Sequence, residues 1–318
     1  MAAACALAAA TLIPLSRDAG SAIAGPERGA GVSRAAPATA DDCESPEASL
    51  AASADSGPTI EAVKKRGHLV VGVDQNSYRW GYRDPVTGAL KGFDIDLARA
   101  IAGNLLGDRN AVVFRAVPTN QRIPALDNGT VDIVVRTMTI NCERSRQVAF
   151  STAYFQAGQQ ILAPQQSAVT GWNNTLRGKR VCSAEGSTAY DELRKNTFGA
   201  VFQDRNDGTP ADEDILTVPN QLDCLVRLQQ GLVDAVLTDD ALAAGQAAQD
   251  PAIELKGKGP FTTEYYGVAT KLGNNDLVRR INLVLEEYRR GEWQRSYDYW
   301  LKADLPEKSV PPALYRSG

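Results

Sequence analysis

Residues 68–74 (HLVVGVD) are apolar at almost every position and close on a polar residue, a pattern that predicts a buried strand ending in a turn. The period then changes. In Gly92-Phe93-Asp94-Ile95-Asp96-Leu97-Ala98-Arg99-Ala100-Ile101-Ala102, the positions Phe93, Leu97, Ala100 and Ile101 fall on one helical face. Asp94 and Asp96 stand at the helix start, where the dipole favours acids. A short helix over 59–63 precedes the first strand. Strands are expected at 161–164 and 179–182, and helices at 190–194, 222–230, 277–289 and 293–301. This is an α/β pattern.

The chain also echoes itself. Leu126-Asp127-Asn128-Gly129-Thr130-Val131-Asp132-Ile133-Val134 matches Leu228-Gln229-Gln230-Gly231-Leu232-Val233-Asp234-Ala235-Val236 at Leu, Gly, Val, Asp and the last Val. Each copy reads as a helix end closed by Gly and followed by a strand. Two similar α/β lobes explain the repeat. Ligands in open α/β sheets gather beyond the carboxyl ends of strands. Residues 136–144 and 238–240, directly after each echo, are therefore the expected site.

Composition narrows the chemistry. The net charge of −4 over 318 residues, with no basic block, gives no sign of nucleic-acid binding. His68 is the single histidine, so no multi-histidine metal site can form and a Ser-His arrangement has one poor candidate base. No cofactor is expected. Residues 1–15 are almost wholly small or apolar and too short to span a bilayer comfortably, as in the apolar part of an export signal. Ala22-Ile23-Ala24 offers a cleavage pattern before Gly25, Cys5 a lipidation alternative, and an uncleaved anchor a third; we take 1–24 as signal or anchor. Residues 25–57, rich in Ala, Ser, Pro, Gly and Asp, read as a disordered tether.

The spelling G-F-D-I-D-L with A-x-x-I-A resembles the signature of family 3 extracellular solute-binding proteins, the amino-acid receptors of ABC importers. The resemblance extends over about residues 67–301. It implies a periplasmic-binding-protein-like fold of type II, in which two α/β lobes are joined by two crossing strands around a ligand cleft. Lobe 1 would comprise 58–155 and 266–318, and lobe 2 would comprise 156–265. Setting Cys5 aside leaves four cysteines, an even number in an exported chain, which favours two disulfides among three possible pairings. Their placement in the lobes favours Cys182–Cys224 within lobe 2 and Cys43–Cys142 stapling the tail to lobe 1.

The segment Thr137-Met138-Thr139-Ile140-Asn141-Cys142-Glu143-Arg144 resembles the family's carboxylate-binding stretch, with Asn141 in place of a Thr and Arg136 in place of a small residue. Arg144 offers a planar fork to an α-carboxylate, Thr139 a hydroxyl, and the backbone at Thr137 an acceptor. Asp239 matches the acid that pairs with an α-ammonium, while Asp240 reads as a helix N-cap. Ser187 and Thr188 follow Gly186 in a loop that closes on the ligand. Arg122, in N-R-I-P-x-L-like Asn120-Gln121-Arg122-Ile123-Pro124-Ala125-Leu126, resembles the residue that meets a side-chain carboxylate in glutamate/aspartate receptors. In the 74–80 loop, Tyr78 or Trp80 would cover the ligand and Arg79 would add charge, although Trp80 and Tyr82 read equally well as core.

The resemblance, including the four cysteines, is strongest to actinobacterial glutamate/glutamine-binding lipoproteins. It implies a monomeric, non-enzymatic receptor on the outer face of the membrane, tethered or secreted. The ligand would be glutamate or aspartate, with glutamine and asparagine as alternatives, and the partners ABC permease subunits. A sensor passing closure to a signalling partner and an enzyme on the same fold are the rival readings. The enzyme would require a carboxyl with a raised pKa and no paired arginine.

Overall fold

The computed structural model describes residues 43–202, 216–305 and 307–316. The export segment and residues 25–42 of the expected tether lie outside them. One five-stranded sheet runs in the order Val112–Ala116, Leu69–Val73, Ile133–Val134, Ala269–Lys271, Val148–Phe150; its first three strands are parallel. A second runs Thr217–Val218, Val181–Ala184, Ala235–Asp239, Gln159–Pro164, Ile253–Lys256, and its first three strands are again parallel. Between them, Phe155–Ala157 pairs antiparallel with Glu264–Tyr266, Tyr266 opposite Phe155. These two segments carry the chain out of one lobe and back into it.

The internal echo has a structural cause. Gly129 and Gly231 take left-handed φ values of 74° and 67°, closing each helix where a side chain would be strained. The echoed aspartates then do the same work in each lobe. Asp132 accepts the Val70 N–H at 2.7 Å and Asp234 the Arg180 N–H at 2.8 Å, each tying the new strand to its lobe's first strand.

The first lobe's core is aromatic. Trp80 is 1 % exposed and stands edge-on to Phe155 at 4.7 Å and to Phe93 at 5.4 Å; its indole N–H donates to the Ala241 carbonyl. Gly92 fits this packing because a Cβ there would lie 2.3 Å from the Trp80 carbonyl oxygen. The acids of G-F-D-I-D do more than favour the dipole. Asp96 accepts from Ser296 Oγ and Trp300 Nε1, docking the helix Glu292–Trp300, and Asp94 accepts from Thr137 N and Tyr154 Oη.

Residues 43–57 correct the tether expectation, since they run against the body. Cys43 is disulfide-bonded to Cys142, Ser49 pairs with Tyr315 and donates to the Phe150 carbonyl, and Asn282 donates to the Leu50 carbonyl. Their hold is backbone and side-chain hydrogen bonding and one covalent bond, none of which leaves an apolar period in the sequence. Cys182 is bonded to Cys224, joining a strand to the helix Gln221–Gln229. Among the described residues no helix is long and apolar enough to cross a membrane.

Candidate functional site

The loops after the two echoed strands meet at one cleft, lined from both lobes. Arg122, Thr137, Thr139 and Arg144 come from the first lobe; Ser187, Thr188 and Asp239 come from the second. The expected Tyr78, Arg79 and Trp80 do not line it. Trp80 is core, as described. Arg79, at φ 67°, turns to Asp304 at 2.8 Å and the Trp300 carbonyl, and Tyr78 packs under Arg79 and against Tyr82. An aromatic run followed by a glycine-closed helix is equally consistent with core and cover, and here the core claims it.

Arg144 lies on the short helix Cys142–Ser145, whose N-cap is Asn141; its side-chain oxygen accepts the Arg144 N–H at 2.9 Å. Asn thus does here what a Thr hydroxyl could do. The guanidinium is 7 % exposed and donates to the carbonyls of Thr139 (2.9 Å) and Gly186 (3.1 Å). Burial pushes its pKa down, while Glu264, Asp191 and Asp239 oppose that shift. Thr137 sits at φ 40°, uncommon for a β-branched residue, and its N–H is held by Asp94 Oδ2 at 3.0 Å. Asp94 also accepts from Tyr154 Oη, and burial raises its pKa to about 7.

Arg122 is buried and faces the cavity, yet three of its N–H groups go to carbonyls: Thr119 (2.8 Å), Arg136 (3.5 Å) and Gly186 (3.0 Å). Burial, then Arg144 and Arg136, drive its pKa well down, although a guanidinium stays cationic in proteins. The Gly186 carbonyl therefore receives two arginines from the opposite lobe. Gly186 has φ 74°, and a Cβ on it would stand 2.9 Å from the Asn120 Cα. Asn120 Nδ2 bonds Glu185 at 2.6 Å and the Thr119 N–H meets the Pro219 carbonyl, so the lobes are closed on each other here.

Ser187 is the N-cap of Thr188–Arg194, its hydroxyl accepting the Tyr190 N–H and donating to the Ala184 carbonyl. Asp239 is 7 % exposed and accepts from Tyr266 Oη at 2.5 Å. Burial first, then Glu264, raises its pKa to about 8; the Tyr266 bond and Arg144 pull the other way. The expectation that Asp240 caps the helix is corrected: Asp239 occupies the cap position, and Asp240 is the first residue of Asp240–Ala247. Its carboxylate accepts from Gly158 N and Lys308 Nζ, tying that helix to the crossing segment and the C-terminal stretch.

Several polar residues of the site were not singled out from the sequence. Glu264, on the returning strand, accepts from Thr139 Oγ1 (2.6 Å), Thr188 Oγ1 (2.9 Å) and Gln159 Nε2 (2.8 Å), knitting both lobes to the hinge. Gln221 lines the cavity from the start of its helix, and Asp74 does so from the end of the first strand. Asp74 stands 3.0 Å from Arg136, an ion pair in which both side chains are almost wholly buried. The replacement of a small residue by Arg136 was the one sequence signal for that pair.

The family model for bacterial extracellular solute-binding proteins, family 3, matches residues 69–303. The ABC-transporter glutamine-binding protein GlnH of Bacillus subtilis is 34 % identical over 250 residues, which cover 78 % of this chain and 86 % of that protein. The glutamate-binding protein GluB of Corynebacterium glutamicum is 28 % identical over 265 residues, covering 80 % of this chain and 84 % of that one. Among solved structures, an ancestral arginine-binding protein bound to glutamine is 34 % identical with a TM-score of 0.65, covering 74 % of this chain and 98 % of that one. The chain therefore belongs to the bacterial extracellular solute-binding proteins of family 3.

Proposed function

We propose that this protein is an extracellular receptor that captures one free polar amino acid, glutamate or aspartate ahead of glutamine or asparagine, and delivers it to an ABC importer. The observation that carries this reading is that Arg144 from one lobe and Asp239 from the other line the same cavity. A zwitterion satisfies both. Its α-carboxylate suits the Arg144 fork and its α-ammonium the Asp239 carboxylate, so each buried charge finds its opposite. Thr139 and Thr188 supply hydroxyls beside them, already oriented by Glu264.

The raised pKa of Asp239 is what the enzyme reading would require of an acid, but Arg144 among its neighbours and the two-lobe cleft favour capture. In this reading 58–155 with 266–318 closes over 156–265, bending at the two crossing segments. The closed form is what the importer's membrane subunits recognise. The names of the relatives, which bind glutamine or glutamate, support the ligand class. The protein acts as a monomer, exported and either secreted or tethered at the outer face of the cytoplasmic membrane; residues 1–24, the expected signal or anchor, lie outside the described ones.

The test is a thermal-shift screen of the twenty amino acids, followed by calorimetry. A rise in melting temperature with glutamate, aspartate, glutamine or asparagine is expected. A protein stabilised by none of these, or by basic or aliphatic amino acids instead, would refute the ligand class.

A further inference from the structure

Resting on that reading of the cavity, we infer that Arg136 is the residue that reads the ligand's side chain, and that it selects a carboxylate over an amide. Three arginines face the cavity, and their donors are spent differently. Arg122 gives three N–H groups to backbone carbonyls, one of them across the lobes, so it works as a latch. Arg144 gives one N–H from each terminal nitrogen to the Thr139 and Gly186 carbonyls and, in the reading above, its remaining donors to the α-carboxylate. Arg136 is 3 % exposed, lines the same cavity, and has no hydrogen-bond partner at Nε or at Nη2. Those two nitrogens form one edge of the guanidinium, the edge that takes a carboxylate side-on through two parallel bonds. Leaving such donors buried without a partner is costly, so a group that satisfies both at once is strongly favoured.

Asp74 explains why the edge is open. Its Oδ2 lies 3.0 Å from Arg136 Nη2, close enough to balance the charge, but the N–H does not point at it. Asp74 has other donors: Gln75 N and Asn76 N on Oδ1, and Ser77 Oγ on Oδ2. It is a positioning residue that neutralises the arginine without occupying its fork. The Arg136 carbonyl is in turn held by Arg122 at 3.5 Å.

Presented to this edge, a side-chain carboxylate accepts both N–H groups. An amide can accept only one, and its NH₂ confronts the other donor. The ligand class is therefore an amino acid carrying a second carboxylate.

The test is calorimetric titration of L-glutamate, L-aspartate, L-glutamine and L-asparagine into the whole protein and into Arg136→Met and Arg136→Lys, with melting temperatures recorded for each. Wild type is expected to bind the better acid at least ~10-fold more tightly than its amide, as two bonds between opposite charges against one to a neutral acceptor imply. Arg136→Met should bring that ratio to about one, with the amide's affinity changed less than ~3-fold, whereas Arg136→Lys should retain part of the preference because it keeps the charge but not the fork. Equal losses for acids and amides, or a ratio unchanged in Arg136→Met, would overturn the assignment. Should Arg136→Met fail to fold, wild type decides with L-glutamate against its γ-methyl ester. Loss of affinity in the ester supports the assignment and equal affinity overturns it. Wild-type protein that binds none of these amino acids would instead refute the receptor reading itself.

Discussion

Amino-acid binding should expel a proton from Asp239. Its carboxyl is buried beside Glu264 and Asp240 and its pKa is raised to about 8. At pH 7 such a group is about nine-tenths protonated. An α-ammonium placed against it favours the carboxylate, and a return toward the ordinary value of 3.8 would release about 0.9 proton per ligand bound at pH 7. The proton that must leave withholds about 1.4 kcal/mol of affinity at that pH, one pKa unit's worth.

The sign follows directly. The protein without ligand holds more protons than the complex, so affinity rises with pH, about tenfold per unit between pH 5 and 7, and levels off above pH 8. Calorimetry at pH 7 in phosphate and in Tris reads the proton count from the dependence of the measured heat on the buffer's ionisation enthalpy. A count near zero, proton uptake, or an affinity that falls from pH 6 to pH 8 would refute the pairing of Asp239 with the ammonium. The group most apt to confuse the result is Asp94, raised to about 7, but it touches Thr137 N and Tyr154 Oη rather than the ligand position. Asp94→Asn should therefore leave the count unchanged.

Arg144→Ala should abolish binding in calorimetry, at a cost of about 2–5 kcal/mol or more, while the protein stays folded, because it strips the partner from a buried carboxylate; near-wild-type affinity would refute the role. Gly186→Ala should weaken binding at least ~10-fold with a smaller change in melting temperature, since at φ 74° the new Cβ would meet Asn120 Cα at 2.9 Å only where the lobes close. Replacing Cys43 and Cys142 together with Ser should lower unfolding free energy by about 2–5 kcal/mol in denaturant titration, the upper end being what chain entropy gives for a sequence separation of 99. An unchanged midpoint would show that the hydrogen bonds of residues 48–54 hold the segment alone.

Local grammar was legible where one segment carries the whole reason. The strand over 68–74, the acid-started helix after Gly92 and the paired echoes each declare their structure in their own residues. The loops that line the cavity followed, because they leave the strand ends, where α/β sheets place ligands. What stayed hidden depends on partners remote in sequence. Glu264 looks like one more acid on a returning strand until Thr139, Thr188 and Gln159 are seen to converge on it from separations of 125, 76 and 105 residues. Asp94 reads as a dipole-favouring acid, yet its lasting partners are Thr137 and Tyr154. Residues 43–57 carry no period at all, and partners remote in sequence fix them: the disulfide, donors from 279–282, the Phe150 carbonyl and residues 314–316.

The arginines show where sequence reasoning and geometry divide the labour. A motif can place Arg122, Arg136 and Arg144 near one another, but it cannot say which N–H groups are already spent. Arg122 and Arg144 both reach the Gly186 carbonyl, a single acceptor in the facing lobe, and both are cations that burial disfavours. Two cations converging on one neutral oxygen make closure electrostatically costly, and an anion nearby lowers that cost. Ligand charge and lobe closure are then linked through the same pair of guanidinium groups. A ligand biases closure only by binding the closed form better than the open one. An acidic amino acid, the ligand proposed above, would do so through its charge near these cations as well as through the bonds it makes.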